Sequence, residues 1–340
     1  VESKVFDFDG KIGPFTGCLP FEHDVAKILH STKRCKENKM KTKLSFTVTS
    51  TILLLLSACG MVAVTGSGKV VNETRDVHGY SQVVFSAPGE MTIEQNGQEG
   101  LVIEADDNLL QYIKASVKGD ILYIYVEPDI LQLYPSKPIR YSLEAGTLTH
   151  VALNGSGIIR SNELIASNLD FDLNGSGDIS IAAVKSQNTA LVLGGSGTYR
   201  IDSLITDQFT ASLNGSGDLV MNKVILNTAN LEVAGSGKLS ATNLVADSLS
   251  TNMSGSGDCI LSGQVNQQSV AIYGSGSYNA EILQSQVTTV KIIGSGDSHV
   301  WATDELNVTI AGSGDIAYLG KPVVKQTVTG SGDITELGRQ

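Results

Sequence analysis

Ten copies of Gly-Ser-Gly recur through the second half of this 340-residue chain, and their spacing constrains the fold more than any other feature. They begin at Gly155, Gly175, Gly195, Gly215, Gly235, Gly255, Gly274, Gly294, Gly312 and Gly330, in steps of 18 to 20 residues. A fixed period of this size is the mark of a solenoid, in which one short unit stacks on copies of itself. In the unit Phe171 to Ile181, apolar residues alternate at Phe171 and Leu173 and again at Ile179 and Ile181, on either side of the tripeptide. That is the period of a half-buried strand. A third apolar position follows (Leu164, Val184, Leu204, Val224, Leu244), so each coil reads as strand, glycine corner, strand, corner, short third strand.

No stretch between repeats has a helical period, which leaves the strands to pair with those of the next coil. The expected fold is all-β, a parallel β-helix of about ten coils, roughly 45 Å long at the spacing of paired strands. Two inward columns line up. Before the corner they run Leu153, Leu173, Leu193, Leu213, Val233, Met253, Ile272, Ile292, Ile310 and Val328. After it they run Ile159, Ile179, Tyr199, Leu219, Leu239, Cys259, Tyr278, Ser298, Ile316 and Ile334. At roughly 1.5–3 kcal/mol for each buried aliphatic side chain, these columns suffice for a narrow continuous core.

The glycines are read as structural turns: Gly155, Gly157, Gly175, Gly177, Gly195, Gly197, Gly215, Gly217, Gly235, Gly237, Gly255, Gly257, Gly274, Gly276, Gly294, Gly296, Gly312, Gly314, Gly330 and Gly332. Glycine permits positive φ and close backbone approach, and the stack is expected to tolerate no Cβ larger than that of serine at the middle position. Aspartate follows six of the ten motifs (Asp178, Asp218, Asp258, Asp297, Asp315, Asp333). Calcium-binding rolls repeat every nine residues with a different glycine pattern, so these aspartates are read as turn caps, with no metal and no cofactor.

The N-terminal part speaks of destination. Met40-Lys41-Thr42-Lys43, a short apolar run from Leu44 to Leu56, and Leu56-Ser57-Ala58-Cys59 form a bacterial signal peptide over 40–58. The run is shorter than the roughly 20 residues that span a bilayer. Leu-Ser-Ala-Cys resembles the lipobox of bacterial lipoproteins, which implies cleavage before Cys59 and its acylation. Gly60 after the cysteine implies, by the same resemblance, an outer-membrane destination. Residues 1–39 read as an upstream, non-native extension, and 59–65 as an anchor linker.

Removing residues 1–58 takes away 9 of 24 basic and 6 of 35 acidic residues, which leaves 15 against 29 and a formal charge of −14. Such a surface excludes nucleic acid and a polybasic hold on anionic lipid. Of four cysteines only Cys59 and Cys259 follow the cleavage point, so no disulfide framework holds the fold.

Residues 66–145 read as a β-rich capping lobe ahead of the repeat helix at 146–340. Strand-like runs are Gln82 to Phe85, Met91 to Glu94, Leu101 to Glu104 and Ile121 to Val126. One or two helical turns are expected over Asn108 to Ile113, with Asp107 as N-cap. Gly66-Ser67-Gly68 is an eleventh tripeptide, out of phase with the rest.

Several segments here together resemble one family. They are Gly66-Ser67-Gly68-Lys69, Glu73 to Val77, Ala87-Pro88-Gly89-Glu90-Met91-Thr92-Ile93, Glu104 to Leu110, and Pro138-Ile139-Arg140-Tyr141 leading into Asn154-Gly155-Ser156-Gly157. The family is the "putative auto-transporter adhesin, head GIN domain" group. The resemblance implies a secreted or lipid-anchored, right-handed parallel β-helix with an adhesive role.

Catalysis needs a convergent constellation, and the three histidines after Cys59 (His78, His150, His299) are scattered. Coils that never exceed 20 residues carry no insertion to wall a cleft. The expected function is therefore non-enzymatic: an adhesin-like or binding rod of the cell envelope. Its partners would be the bilayer, through acylated Cys59, and an envelope protein or glycan. A polysaccharide lyase or glycosidase, with a carboxylate cluster on one wall, is the alternative, and an envelope scaffold or stress-response component a further one.

Overall fold

The computed structural model describes residues 62–338. The signal peptide, Cys59 and everything before it lie outside the described residues. Strands account for nearly all regular structure, and no α-helix occurs among the described residues. The ten glycine corners bound about nine turns of a β-solenoid.

The repeat is clearest from β10 (His150–Gly155) and β11 (Ile158–Ile165) onward. β10 pairs in parallel with Asn168–Gly175, residue for residue at a step of twenty, from His150↔Asp170 to Gly155↔Gly175. β11 pairs likewise with Asp178–Lys185, skipping Asn162. That skipped residue bends the strand, so one continuous run makes two walls of the coil. Each coil thus has a wall before the glycine corner, a wall after it and a short third wall. Leu169, Phe171, Leu173, Ile179, Ile181 and Val184 point inward from one coil and are all buried.

The inward columns follow the expected stacks up to the last coil. Val328 is 41% exposed and Ile334 partly so, because among the described residues no further coil covers them.

The segment before the repeats continues the same stack, in an order that differs from the chain's. Its strands are β1 (Val62–Thr65), β2 (Val70–Arg75), β3 (Gln82–Ser86), β4 (Glu90–Gln95), β5 (Gly100–Asp106), β6 (Ile113–Lys118), β7 (Ile121–Val126), β8 (Ile130–Tyr134) and β9 (Arg140–Ala145). β3 lies in parallel register against β10, and β4 against β11. β7 lies beyond β3 and β9 beyond β4, both parallel. The outermost full coil is therefore made after the one it underlies, and the chain then passes over a coil to start β10.

Antiparallel strands close this end: β6 on β7, and β5 on β9 with β2 outside it. A reversal of strand direction ends the parallel template and leaves no edge ready to accept another identical coil.

The expected helix reduces to one 3₁₀ turn, Leu110–Tyr112, with Leu109 at its N-cap and no side-chain cap. Asp107 is engaged elsewhere: it accepts from the Ser67 hydroxyl at 2.6 Å and pairs with Lys69 at 3.3 Å.

Candidate functional site: corner stack, outer walls and the N-terminal end

The tripeptides stack directly, with the three positions in different environments. The serine is exposed in every copy and the second glycine is buried in every copy. The serine side chain points outward, so the stack does not limit its size. The second glycine is constrained by space alone and does not have positive φ in any of the ten copies. A Cβ at Gly257 would lie 2.5 Å from the Gly237 carbonyl oxygen and 2.7 Å from Val233 Cγ1. The coil one step away and the inward column both occupy the place a side chain would need.

The out-of-phase copy does something else. Gly68, at φ +84°, donates its N–H to Asp106 Oδ1 at 2.8 Å. The Ser67 N–H donates to Asn108 Oδ1 at 2.8 Å. Gly66-Ser67-Gly68 thus wraps the Asp106-Asp107-Asn108 turn. Ser136 adds two more donors to Asp106, its N–H at 2.8 Å and its hydroxyl at 2.6 Å. Donation from Ser136 first, and then from Gly68, holds the Asp106 carboxyl below the usual carboxylate range.

Two of the post-corner aspartates cap the stack as backbone acceptors. Asp297 Oδ1 accepts the Asp315 N–H at 3.0 Å, and Asp315 Oδ1 accepts the Asp333 N–H at 2.8 Å. Among the described residues no group of three or more His, Cys, Asp or Glu side chains could hold a metal ion.

The corner between the third wall and the next coil carries a ladder that alternates charge with neutrality. Asn227 donates its side-chain amide to Asp207 at 3.3 Å, and Asn266 donates to Asp247 at 2.9 Å. Backbone bonds Asn227 N–H to Asp207 O and Asp247 N–H to Asn227 O put these positions in one column. Like charges in direct register repel, and the intervening asparagines separate the carboxylates.

The three histidines are held apart. His78 contacts Asp76 at 2.7 Å, His150 contacts Asp172 at 3.1 Å and His299 contacts Glu281 at 3.8 Å, each on a different part of the solenoid. Cys259 is free and fully buried in its inward column, and burial pushes its thiol well above the ordinary value. A protonated buried thiol is a small hydrophobe, not a nucleophile.

The short third wall bears a feature that the repeat pattern did not reveal. Ile165, Ile205, Ile225 and Val245 share one outward column, with exposures of 48, 40, 38 and 52%. Lys185 fills the remaining place and turns to Glu163 at 2.7 Å. Single exposed aliphatics need no explanation, but contiguous ones mark contact surfaces. Their shared register was present in the sequence and visible only to a reading that tracked outward as well as inward positions.

At the N-terminal end, β1 pairs in parallel with β8, Val64 opposite Leu133 and Thr65 opposite Tyr134. Leu131 is 62% and Tyr134 51% exposed. A groove of about 350 Å³ opens beside Leu131, lined also by Pro88, Ile130, Asn154 and Ser156. No helix among the described residues is long and apolar enough to cross a membrane.

Three solved structures resemble the fold. A putative lipid binding protein from Parabacteroides distasonis ATCC 8503 is 22% identical with a TM-score of 0.44, covering 82% of this chain and 100% of its own. A putative adhesin from Bacteroides fragilis NCTC 9343 is 19% identical with a TM-score of 0.42, covering 81% and 100%. A putative adhesin from Parabacteroides merdae ATCC 43184 is 18% identical with a TM-score of 0.44, covering 81% and 99%. No curated protein matches the chain. The family model described as "Putative auto-transporter adhesin, head GIN domain" matches residues 79–244 and again 211–322, that is, most of the solenoid and part of its N-terminal end, and the chain belongs to that family.

Proposed function

We propose that this chain is a non-enzymatic binding rod of the bacterial cell envelope, anchored through acylated Cys59 and carrying its ligand, an envelope protein or glycan, on an outer wall. The observation that carries the reading is the exposed aliphatic column of Ile165, Ile205, Ile225 and Val245, interrupted by Lys185. Membership of a family described as adhesins supports a binding role. The lipobox-like Leu56-Ser57-Ala58-Cys59 supports the anchor and an outer-membrane location. Two or more acyl chains give stable anchoring where one is marginal.

The test applies the purified protein to an array of bacterial and mucosal glycans and to solubilised envelope proteins, with reducing ends assayed in parallel. The reading expects saturable binding that Ile205→Asp with Ile225→Asp abolishes, and no release of reducing ends. Release of reducing ends from an acidic polysaccharide would replace the reading with the lyase or glycosidase alternative.

A further inference from the structure

The end of the solenoid that follows Cys59 in the chain carries exposed apolar side chains that the binding wall does not use. β1 begins at Val62, three residues after Cys59. At about 3.3–3.6 Å per extended residue, those three residues reach no more than roughly 11 Å. Acyl chains on Cys59 would therefore bring β1 against the headgroups, together with the strand beside it. That strand is β8, in parallel register with β1, and it presents Leu131 and Tyr134, 62% and 51% exposed.

An exposed leucine and an exposed tyrosine on one strand suit the bilayer boundary. The ring of a tyrosine is apolar and its hydroxyl stays wet, which is why the residue concentrates at membrane–water interfaces. Charge cannot supply the attraction, since the chain after the cleavage point carries 15 basic and 29 acidic residues. A contact at this face has to be apolar, and so insensitive to salt.

We propose that the β1–β8 ribbon is a membrane-contacting face that seats Leu131 and Tyr134 in the interface of the bilayer holding Cys59. This rests on the lipoprotein reading above. The consequence is orientation: the ribbon would set the solenoid on the membrane by its N-terminal end, leaving the aliphatic column on its wall free for a ligand.

The test uses the full lipidated protein in phosphatidylcholine vesicles with brominated acyl chains, in a Trp301→Phe background. Tyr134→Trp is the reporter, Leu131→Trp the second reporter, and Ile282→Trp, 66% exposed and farther along the solenoid, the reference. The proposal expects emission at 134 and 131 to move to shorter wavelength and to be quenched by the brominated lipid, equally at low and high salt, with Ile282→Trp unquenched. No quenching at 134 and 131 overturns it, as does equal quenching at all three positions. A blue shift that grows with protein concentration without vesicles would assign the face to a second copy, and would also overturn it.

The mass of the N-terminal peptide tests acylation separately. If Cys59 is unmodified, the anchor reading falls. The face is then tested in the same vesicles by coupling Cys59 to a maleimide lipid in a Cys18→Ser, Cys35→Ser background.

Discussion

The side-chain amide of Gln95 pairs with both backbone groups of Ile165, donating to its carbonyl at 2.8 Å and accepting its N–H at 2.7 Å. This is the pattern that a neighbouring strand would make. The chain leaves the solenoid after Gln95, so the coil beneath β11 has no third wall, and one side chain stands in for the missing peptide. Gln95→Ala is expected to lower unfolding free energy by about 1 kcal/mol, the net worth of a typical internal hydrogen bond. Urea denaturation monitored by circular dichroism checks it.

The corner stack predicts opposite tolerance at adjacent residues. Gly257→Ala drives a Cβ to within 2.5 Å of the Gly237 carbonyl oxygen and is expected to cost about 1–3 kcal/mol, the range for overpacking. Ser256→Ala, at an exposed position, is expected to stay within about 0.5 kcal/mol of the parent. Thermal melts of the two variants compare them directly.

Asp106 ties the ends of the N-terminal lobe together through Gly68 and Ser136. Its folded-state pKa lies below the unfolded value, so its contribution to stability is present above the ordinary carboxyl range of about 4 and is lost as pH falls through the depressed folded value. Asp106→Asn is therefore expected to destabilise the protein at pH 7, with the gap to the parent closing progressively below about pH 4. Melting temperature against pH for the two proteins reads this out.

Gln268 occupies an inward place, 2% exposed, with no hydrogen-bond partner for either amide atom among the described residues. Leu249 and Thr288 stand in the same column on either side. Unpaired buried polar groups cost about 1–3 kcal/mol, so Gln268→Leu is expected to raise stability by an amount in that range. Calorimetry would show it as a higher Tm.

Cys259 supplies a probe of global opening. With its thiol buried and kept protonated, it is expected to resist a disulfide reagent at pH 8 in the folded protein and to react at once in denaturant, which absorbance of the released thiolate measures.

The coil and its two inward columns were legible in the sequence because stacking repeats the same physical demand at a fixed interval. From Leu153 to Ile310 the column before the corner is buried as the alternation implies. Less legible was the reason for each glycine. The motif suggests positive φ and a small middle residue. Positive φ occurs at the first glycine of five copies (Gly155, Gly175, Gly294, Gly312 and Gly330), whereas the coil one step away excludes a Cβ at the second glycine and leaves the serine free. The N-terminal lobe was the least legible part. Its strands could be seen, but the inverted order of β7 and β9 relative to β3 and β4 depends on pairings between segments with no repeat to align them. Gln95 illustrates the limit, since no local pattern says that a glutamine will replace a strand. The aliphatic column on the third wall was written in the repeat register, yet outward positions carry no burial signal to draw attention to them.

The claim that the ligand sits on that third wall is tested most directly by photo-crosslinking in intact cells. A benzophenone amino acid is placed at Ile205 on the aliphatic column, and at Thr210, an exposed residue on the wall before the glycine corner, as the comparison. The account predicts a discrete higher-mass adduct from position 205 and none from 210. Adducts of equal yield at both positions, or none at 205, would contradict it.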